Sequence, residues 1–172
     1  MHQHPAPMRR LVPTAPAFVG TVDASGSGFG GTWLPTSLAD PSATPFVWRW
    51  PLPLPLQQRL VSSTNPQGSL NNSELELAAA LMAVLCLAHD HGTGWDFQSA
   101  LLGSDNAATV AWITKGSTTT AKAPAGLLRW LGLALRHAQG QLHMVFVPGH
   151  TNSIADFCSR SFSLPDPAFL DL

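Results

Sequence analysis

Charge is scarce in this sequence: charged residues make up 11% of the 172, and the formal net charge is −1. That scarcity first argues against a nucleic-acid partner, because phosphate binding normally draws on a basic surplus. Cysteine is scarcer still. Cys86 and Cys158 both lie in apolar, helix-like contexts and not at metal-ligand spacing. A disulfide framework is therefore not needed, and the pattern fits two buried thiols in a reducing, intracellular setting such as cytoplasm or nucleus. No apolar run approaches the roughly 20 residues that span a bilayer. The opening stretch MHQHPAPMRRLVPTAPA also has no continuous apolar segment behind its charges, so neither a secreted nor a membrane protein is indicated. What the chain does have is 45% hydrophobic residues, enough for a single core in one domain and too short a chain for two.

The first seventeen residues, rich in Pro and Ala and without a period of 2 or 3.6, read as an arm or linker preceding a domain over residues 18–162, with 163–172 as a tail. From Ala17, AFVGTVDAS has strand-forming residues and meets GSGFGGTW, where glycines make a turn into a second strand. Between Leu34 and Gly68, seven prolines interrupt short strand-like pieces at FVWRW and QRLVSS. The pattern then changes. NNSELELAAALMAVLCLAHDHG has neither Pro nor Gly before Gly92 and predicts the longest helix, apolar nearly all round and so buried against a sheet. FQSALLGSDN reads as a buried strand ending at Asp105, followed by a helix in NAATVAWITKG. A further helix is predicted from Pro124 to His137, a strand over QLHMVFVPG, and a short helix from Asn152 through SIADFCSRS. The order β-β-β-α-β-α-α-β-α predicts a mixed sheet with helices on its faces.

Gly26, Gly28 and Gly31 satisfy the dinucleotide-binding pattern G-x-G-x-x-G, but Thr32, Trp33, Leu34 and Pro35 continue as a strand where that fingerprint needs a helix N-terminus. The acids are more informative. Asp23 ends the first strand, Glu76 lies in the first turns of the long helix, Asp105 ends a later strand, and Asp156 lies in the last helix. Each sits inside an apolar segment, where an ionised carboxylate costs several kcal/mol unless paired or metal-bound. The Lys and Arg residues mostly lie elsewhere in sequence. Phosphodiester hydrolysis needs a water activated on one side of phosphorus and a leaving oxygen neutralised on the other. Two Mg²⁺ ions held by a few carboxylates do both. Two such ions would also shift the local charge by about +4, weakening the objection from net charge.

In this order, VDASGSGFGGTW, NNSELELAAALMAV, LLGSDNAATVAWI and VPGHTNSIADFCSR resemble the four successive motifs of the ribonuclease H family, over about Phe18 to Arg160. The likeness is to the ribonuclease H domains that follow reverse transcriptase in retroelements, and most to the tyrosine-recombinase (DIRS-like) type. The resemblance implies an α/β fold with a mixed five-stranded sheet, three antiparallel strands then two parallel, and helices on both faces. It implies hydrolysis of the RNA strand of an RNA–DNA hybrid by two Mg²⁺ ions, with Mn²⁺ as a substitute, beside a reverse transcriptase domain in the same polyprotein. Asp23 would bridge both metals, Asp156 would complete the site of the water-activating ion, and Glu76 and Asp105 would hold the second. Glu76 is preferred to Glu74 because Asn72 precedes it by four positions, as in the family, and because Ala79, Ala80 and Ala83 share its face. His150 of PGHTNS resembles the histidine that assists product release, at a shorter spacing to the final Asp than is usual.

Each acid also has a plainer reading. Asp23 could start the glycine turn, Ser73 and Glu76 fit an S-x-x-E capping box, Asp105 could cap a helix, and Asp156 could be a first-turn acid favoured by the helix dipole. For nucleic-acid contact the sequence offers Lys122, Arg129 and Arg136, spaced by seven, with Lys115 upstream; an ordinary solvated helix face is the alternative. Ser25, Asn72 and Asn106 are the small polar candidates for reading the hybrid's backbone. Trp112 and Trp130 read as core, and Trp33, Trp48 and Trp50 as sheet packing or a stacking surface. Two other functions stay open: a ribonuclease H-fold tether with a weak or inactive site, and a DNA-directed nuclease of related fold.

Overall fold

The computed structural model describes residues 15–37, 45–90, 99–118, 122–166 and 169. Strand β1 (Phe18–Ala24) turns through residues 25–27 into β2 (Gly28–Pro35), and β3 (Phe46–Pro51) follows. A one-turn helix α1 (Leu54–Gln57) precedes the long α2 (Asn72–Asp90), then β4 (Ser99–Ser104), α3 (Ala107–Lys115), α4 (Lys122–Ala138), β5 (Gln141–Phe146) and α5 (Ser153–Arg160). The five strands form one sheet in the order β3-β2-β1-β4-β5. The β1–β2 and β2–β3 pairs are antiparallel, whereas β1–β4 and β4–β5 are parallel. The expected order of elements is present, with α1 added. QRLVSS is not a sheet strand: Leu60 and Ser62 make only isolated bridges, to Leu70 and Asn65. The prolines on its N-terminal side favour α1 and turns over a ladder that would need their missing N–H groups.

Side chains of alternating parity on β2 settle which helix covers which face. Trp33 donates its indole N–H to the Ala83 carbonyl on α2 at 3.0 Å. Gly30, of opposite parity, faces α5 so closely that an added Cβ would lie 2.4 Å from the Cys158 carbonyl carbon. Thus α2 and α5 pack on opposite faces. Val22, Leu77, Ala80, Val84, Leu87 and Leu102 are fully buried, each contributing about 1 to 3 kcal/mol of apolar transfer. By length and composition α2 is apolar enough to cross a membrane. Here it packs on β1, β2, α3 and α4 and carries two buried carboxylates.

Described residues at both edges make contacts with the sheet. Ala17 and Ala15 already bond Ser99 at the start of β4, so the packed unit starts within the arm expected over 1–17, whose residues 1–14 lie outside the described set. The expected tail packs as well: Arg49 on β3 donates to the Leu164 carbonyl at 2.7 Å and to Asp166 at 2.6 Å, and its guanidinium lies 4.2 Å from the Phe169 ring centroid. Phe169 stacks on Phe157 of α5. Trp33 and Trp48 are core, as expected of packing residues, while Trp50 is exposed. Trp130, expected in the core, is 66% exposed. It stands beside an apolar groove of about 400 Å³ between α1, α2 and α4, because the buried residues among those described on α4 are Pro124, Leu131 and Ala138.

Candidate functional site

Parallel pairing puts the C-terminal ends of β1 and β4 side by side, and the chain places an acid at each. Asp23 is the penultimate residue of β1 and Asp105 follows β4 directly. Glu76, in the second turn of α2, reaches over the end of β1, where its Oε1 accepts the Ala24 N–H at 3.3 Å. One carboxylate oxygen from each of Asp23, Glu76 and Asp105 lies within 4.8 Å of the others. Asp23 is 5% exposed and Glu76 2%. Asp156, in the first turn of α5, stands close enough for its charge to bear on Asp23, but it is half-exposed and its Oδ1 accepts from Arg160 Nε at 2.6 Å.

Local contacts exclude two of the plainer readings, the Ser73–Glu76 capping box and the Asp105 cap, while Asp156 does stand in the first turn of α5. The capping box at the start of α2 is Asn71 with Glu74, not Ser73 with Glu76: the Asn71 N–H donates to Glu74 Oε2 at 2.9 Å and the Glu74 N–H to Asn71 Oδ1 at 3.0 Å. Glu74 is therefore occupied as a cap, and Glu76, two residues on, points to the sheet end. The cap of α3 is Asn106, whose side chain accepts the Thr109 N–H at 3.0 Å, which leaves Asp105 free of that task. Asp23 is aimed by Ser159 of α5, whose hydroxyl donates to Asp23 Oδ2 at 2.5 Å and lies 3.0 Å from the Asp156 carbonyl. Asn152, buried just before α5, donates to the Val22 carbonyl at 2.9 Å and ties the helix to β1.

Electrostatically the cluster is only partly compensated, by the charge of Arg160 at its rim. Burial, then the charges of Asp23 and Asp105, push Glu76 up to about 8 from its ordinary 4.5, against the opposing Ala24 N–H. Burial likewise raises Asp23 above its ordinary value, with Asp156 and Asp105 adding to the rise and the Ser159 hydroxyl opposing it. Glu76 Oε2 is buried with no hydrogen-bond partner among the described residues. A buried carboxylate oxygen with no donor, facing two further carboxylates, is a poor arrangement for the protein alone. It suits a hard divalent cation, which takes oxygen ligands; Asp23, Glu76 and Asp105 supply the donor set.

The remaining expected residues scatter. Ser25 is buried, its hydroxyl given to the Ser159 carbonyl at 2.6 Å and accepting the Ser27 and Gly28 N–H groups, so it staples the β1–β2 turn to α5 and offers no free hydroxyl. Asn106 is tied to Thr109 and Ser73. Asn72 is exposed at the start of α2, and Lys115, Arg129 and Arg136 are exposed on α3 and α4; the Lys122 side chain lies outside the described residues. His150 is exposed in a single 3-10 turn, Gly149–Thr151, whose first residue abuts Asp105: an added Cβ on Gly149 would lie 3.0 Å from Asp105 Oδ2. Sequence reasoning did not single out Ser159 or Arg160. The i,i+4 spacing of Asp156 and Arg160 on a predicted helix was the available signal.

No family model matches the sequence, and no curated protein matches it. Solved structures do. A crystal structure of LC11-RNase H1 in complex with an RNA/DNA hybrid superposes with a TM-score of 0.57 at 14% identity, covering 82% of this chain and 92% of that one. RNase H1 from the halophilic archaeon Halobacterium salinarum gives 0.53 at 17% identity over 90% and 98%. The fold is that of ribonuclease H. The foamy viral protease-reverse transcriptase in complex with an RNA/DNA hybrid gives 0.51 at 13% identity, covering 95% of this chain and 22% of the viral one. A ribonuclease H fold accounts for the whole described sheet, and in this chain the Asp23, Glu76 and Asp105 cluster stands at the carboxyl ends of its two central parallel strands.

Proposed function

We propose that the chain is a metal-dependent endonuclease that hydrolyses the RNA strand of RNA–DNA hybrids, working inside the cell as one domain of a retroelement reverse transcriptase polyprotein of the tyrosine-recombinase type. The carrying observation is the convergence of Asp23, Glu76 and Asp105 at one sheet end, with Glu76 Oε2 left without a partner among the described residues. Hybrid-bound neighbours of the same fold support the substrate. A pair of Mg²⁺ ions, or Mn²⁺ in their place, supplies water activation and charge neutralisation at the phosphate when bound. The protein's own part is to hold the ligands still and keep water from the buried carboxylates. Ser159 fixes the rotamer of Asp23, burial fixes Glu76, and the side chain Gly149 lacks leaves room for Asp105 Oδ2, which an added Cβ would crowd at 3.0 Å. Asp156 would complete the set from α5, and exposed His150, which follows the Gly149 that abuts Asp105, would assist product departure. Asn72 and the exposed cations Lys115, Arg129 and Arg136, with Lys122, are the contacts proposed for the hybrid's backbones.

Cleavage of matched hybrid, double-stranded RNA and double-stranded DNA with Mg²⁺ tests this reading, with Asp105→Asn alongside. Cleavage of the hybrid alone, lost in Asp105→Asn, is the expected result. Cutting of DNA duplex in preference would reassign the substrate, and wild-type inertness on all three would leave a tethering module.

A further inference from the structure

Of the four acids at the sheet end, three approach within 4.8 Å of one another and Asp156 is not among them. What holds Asp156 is on its own helix. Arg160, one turn later, donates from Nε to Asp156 Oδ1 at 2.6 Å, with side chains 59% and 47% exposed. The same positive charge reaches both Asp23 and Glu76. Arg160 is thus a cation resident at the rim of a buried acidic cluster, bonded to the one acid that stands apart from it.

We infer that Arg160 is a positioning counterion: it occupies Asp156 in the metal-free protein, competes with a divalent cation for that carboxylate, and so sets the affinity of the site. The inference rests on the proposed metal-binding reading of the cluster. An exposed i,i+4 pair is weak enough for an arriving dication to break, and a fixed positive charge beside the site lowers the affinity for a second positive charge in a salt-dependent way. The guanidinium thereby offsets the mutual repulsion of the acids before metal arrives, at the cost of weaker metal binding. An arginine freed from Asp156 is left at the rim, fully charged and exposed.

Calorimetric titration of Mg²⁺ into the whole chain tests this, comparing wild type with Arg160→Gln, Arg160→Lys, Asp156→Asn and the Asp156→Asn/Arg160→Gln double variant. Thermal denaturation checks folding, which an exposed position should preserve. Arg160→Gln is expected to bind Mg²⁺ about three- to tenfold more tightly at low salt, with the gap closing as KCl is raised. Arg160→Lys, which keeps the charge, should bind like wild type. In the Asp156→Asn background the gain from Arg160→Gln should shrink by at least about half, the sign of two residues acting through one another. Equal or weaker binding by Arg160→Gln, with wild type binding Mg²⁺ and cleaving hybrid, overturns the role of Arg160 and leaves the nuclease reading standing. No Mg²⁺ binding by wild type overturns both.

Discussion

If the cluster is built to be completed by metal, the metal-free protein should grow less stable as pH rises through neutrality. Glu76 carries most of that effect. Its folded-state carboxyl titrates at about 8 against an ordinary 4.5, so the folded chain holds a proton that the unfolded chain has released. The stability contributed by that proton is complete below the ordinary value and is lost as pH climbs through about 8. At about 1.4 kcal/mol for each tenfold difference in proton affinity, raising the pH from about 5 to about 8 removes about 3 kcal/mol from the metal-free fold. For a chain of this size that is a fall of roughly 6 to 12 °C in Tm. Asp23, raised in the same direction, adds to the trend. The assay is thermal denaturation in EDTA across that range for wild type and Glu76→Gln. The variant keeps the shape and removes the Glu76 titration, so its Tm should fall less steeply, by the share Asp23 retains, and lie above wild type at the alkaline end. Added Mg²⁺ should raise the wild-type Tm more at about pH 8 than at about pH 5, because the ligand must be deprotonated. A metal-free Tm that stays level or climbs in wild type, or an equal slope in Glu76→Gln, would show that Glu76 does not hold a buried proton in the metal-free fold.

Three further outcomes follow from the contacts around α5. Gly30→Ala places a methyl 2.4 Å from the Cys158 and Ser159 backbone, which cannot swing aside. A loss of about 1 to 3 kcal/mol in denaturant unfolding is expected, with weakened hybrid cleavage as α5 is pushed off the sheet. Ser159→Ala removes the hydroxyl that opposes protonation of Asp23. The pH at which Mg²⁺ binding reaches half its maximum should rise, and an unchanged profile would show that Ser159 does not position Asp23. Arg49→Ala frees the segment held through the Leu164 carbonyl and Asp166. Faster amide exchange over 161–166 with β1 and β4 unchanged is the expected signature.

The strand ends, the long helix and the four acids were legible because each is a local pattern: strand-forming runs stop at Asp23 and Asp105, and the Ala-rich stretch after Asn72 admits only a helix. Choosing Glu76 over Glu74 was also possible locally, although the capping box fell in a different register, with Asn71 and Glu74 meeting reciprocally. Contacts between distant segments were not legible. Ser159 bonds Asp23 across 136 positions and Arg49 grips a segment 115 and 117 positions away, and no periodicity encodes such partners. Ser25 misled for the same reason: a serine in a glycine turn looks free until α5 is packed against it. Trp130 was misplaced because it lies at one edge of the apolar face of α4 that carries Leu131 and Ala138, and only the position of α2 decides how much of that face is covered.

Anomalous diffraction from crystals grown with Mn²⁺ decides whether the carboxylate cluster is a metal site. A cation is predicted at bonding distance from Asp23 and Glu76, with Glu76 Oε2 as a ligand and Asp105 in the same coordination group. Fully occupied Mn²⁺ sites elsewhere, with Asp23, Glu76 and Asp105 bare or bonded only to protein donors, would overturn the assignment.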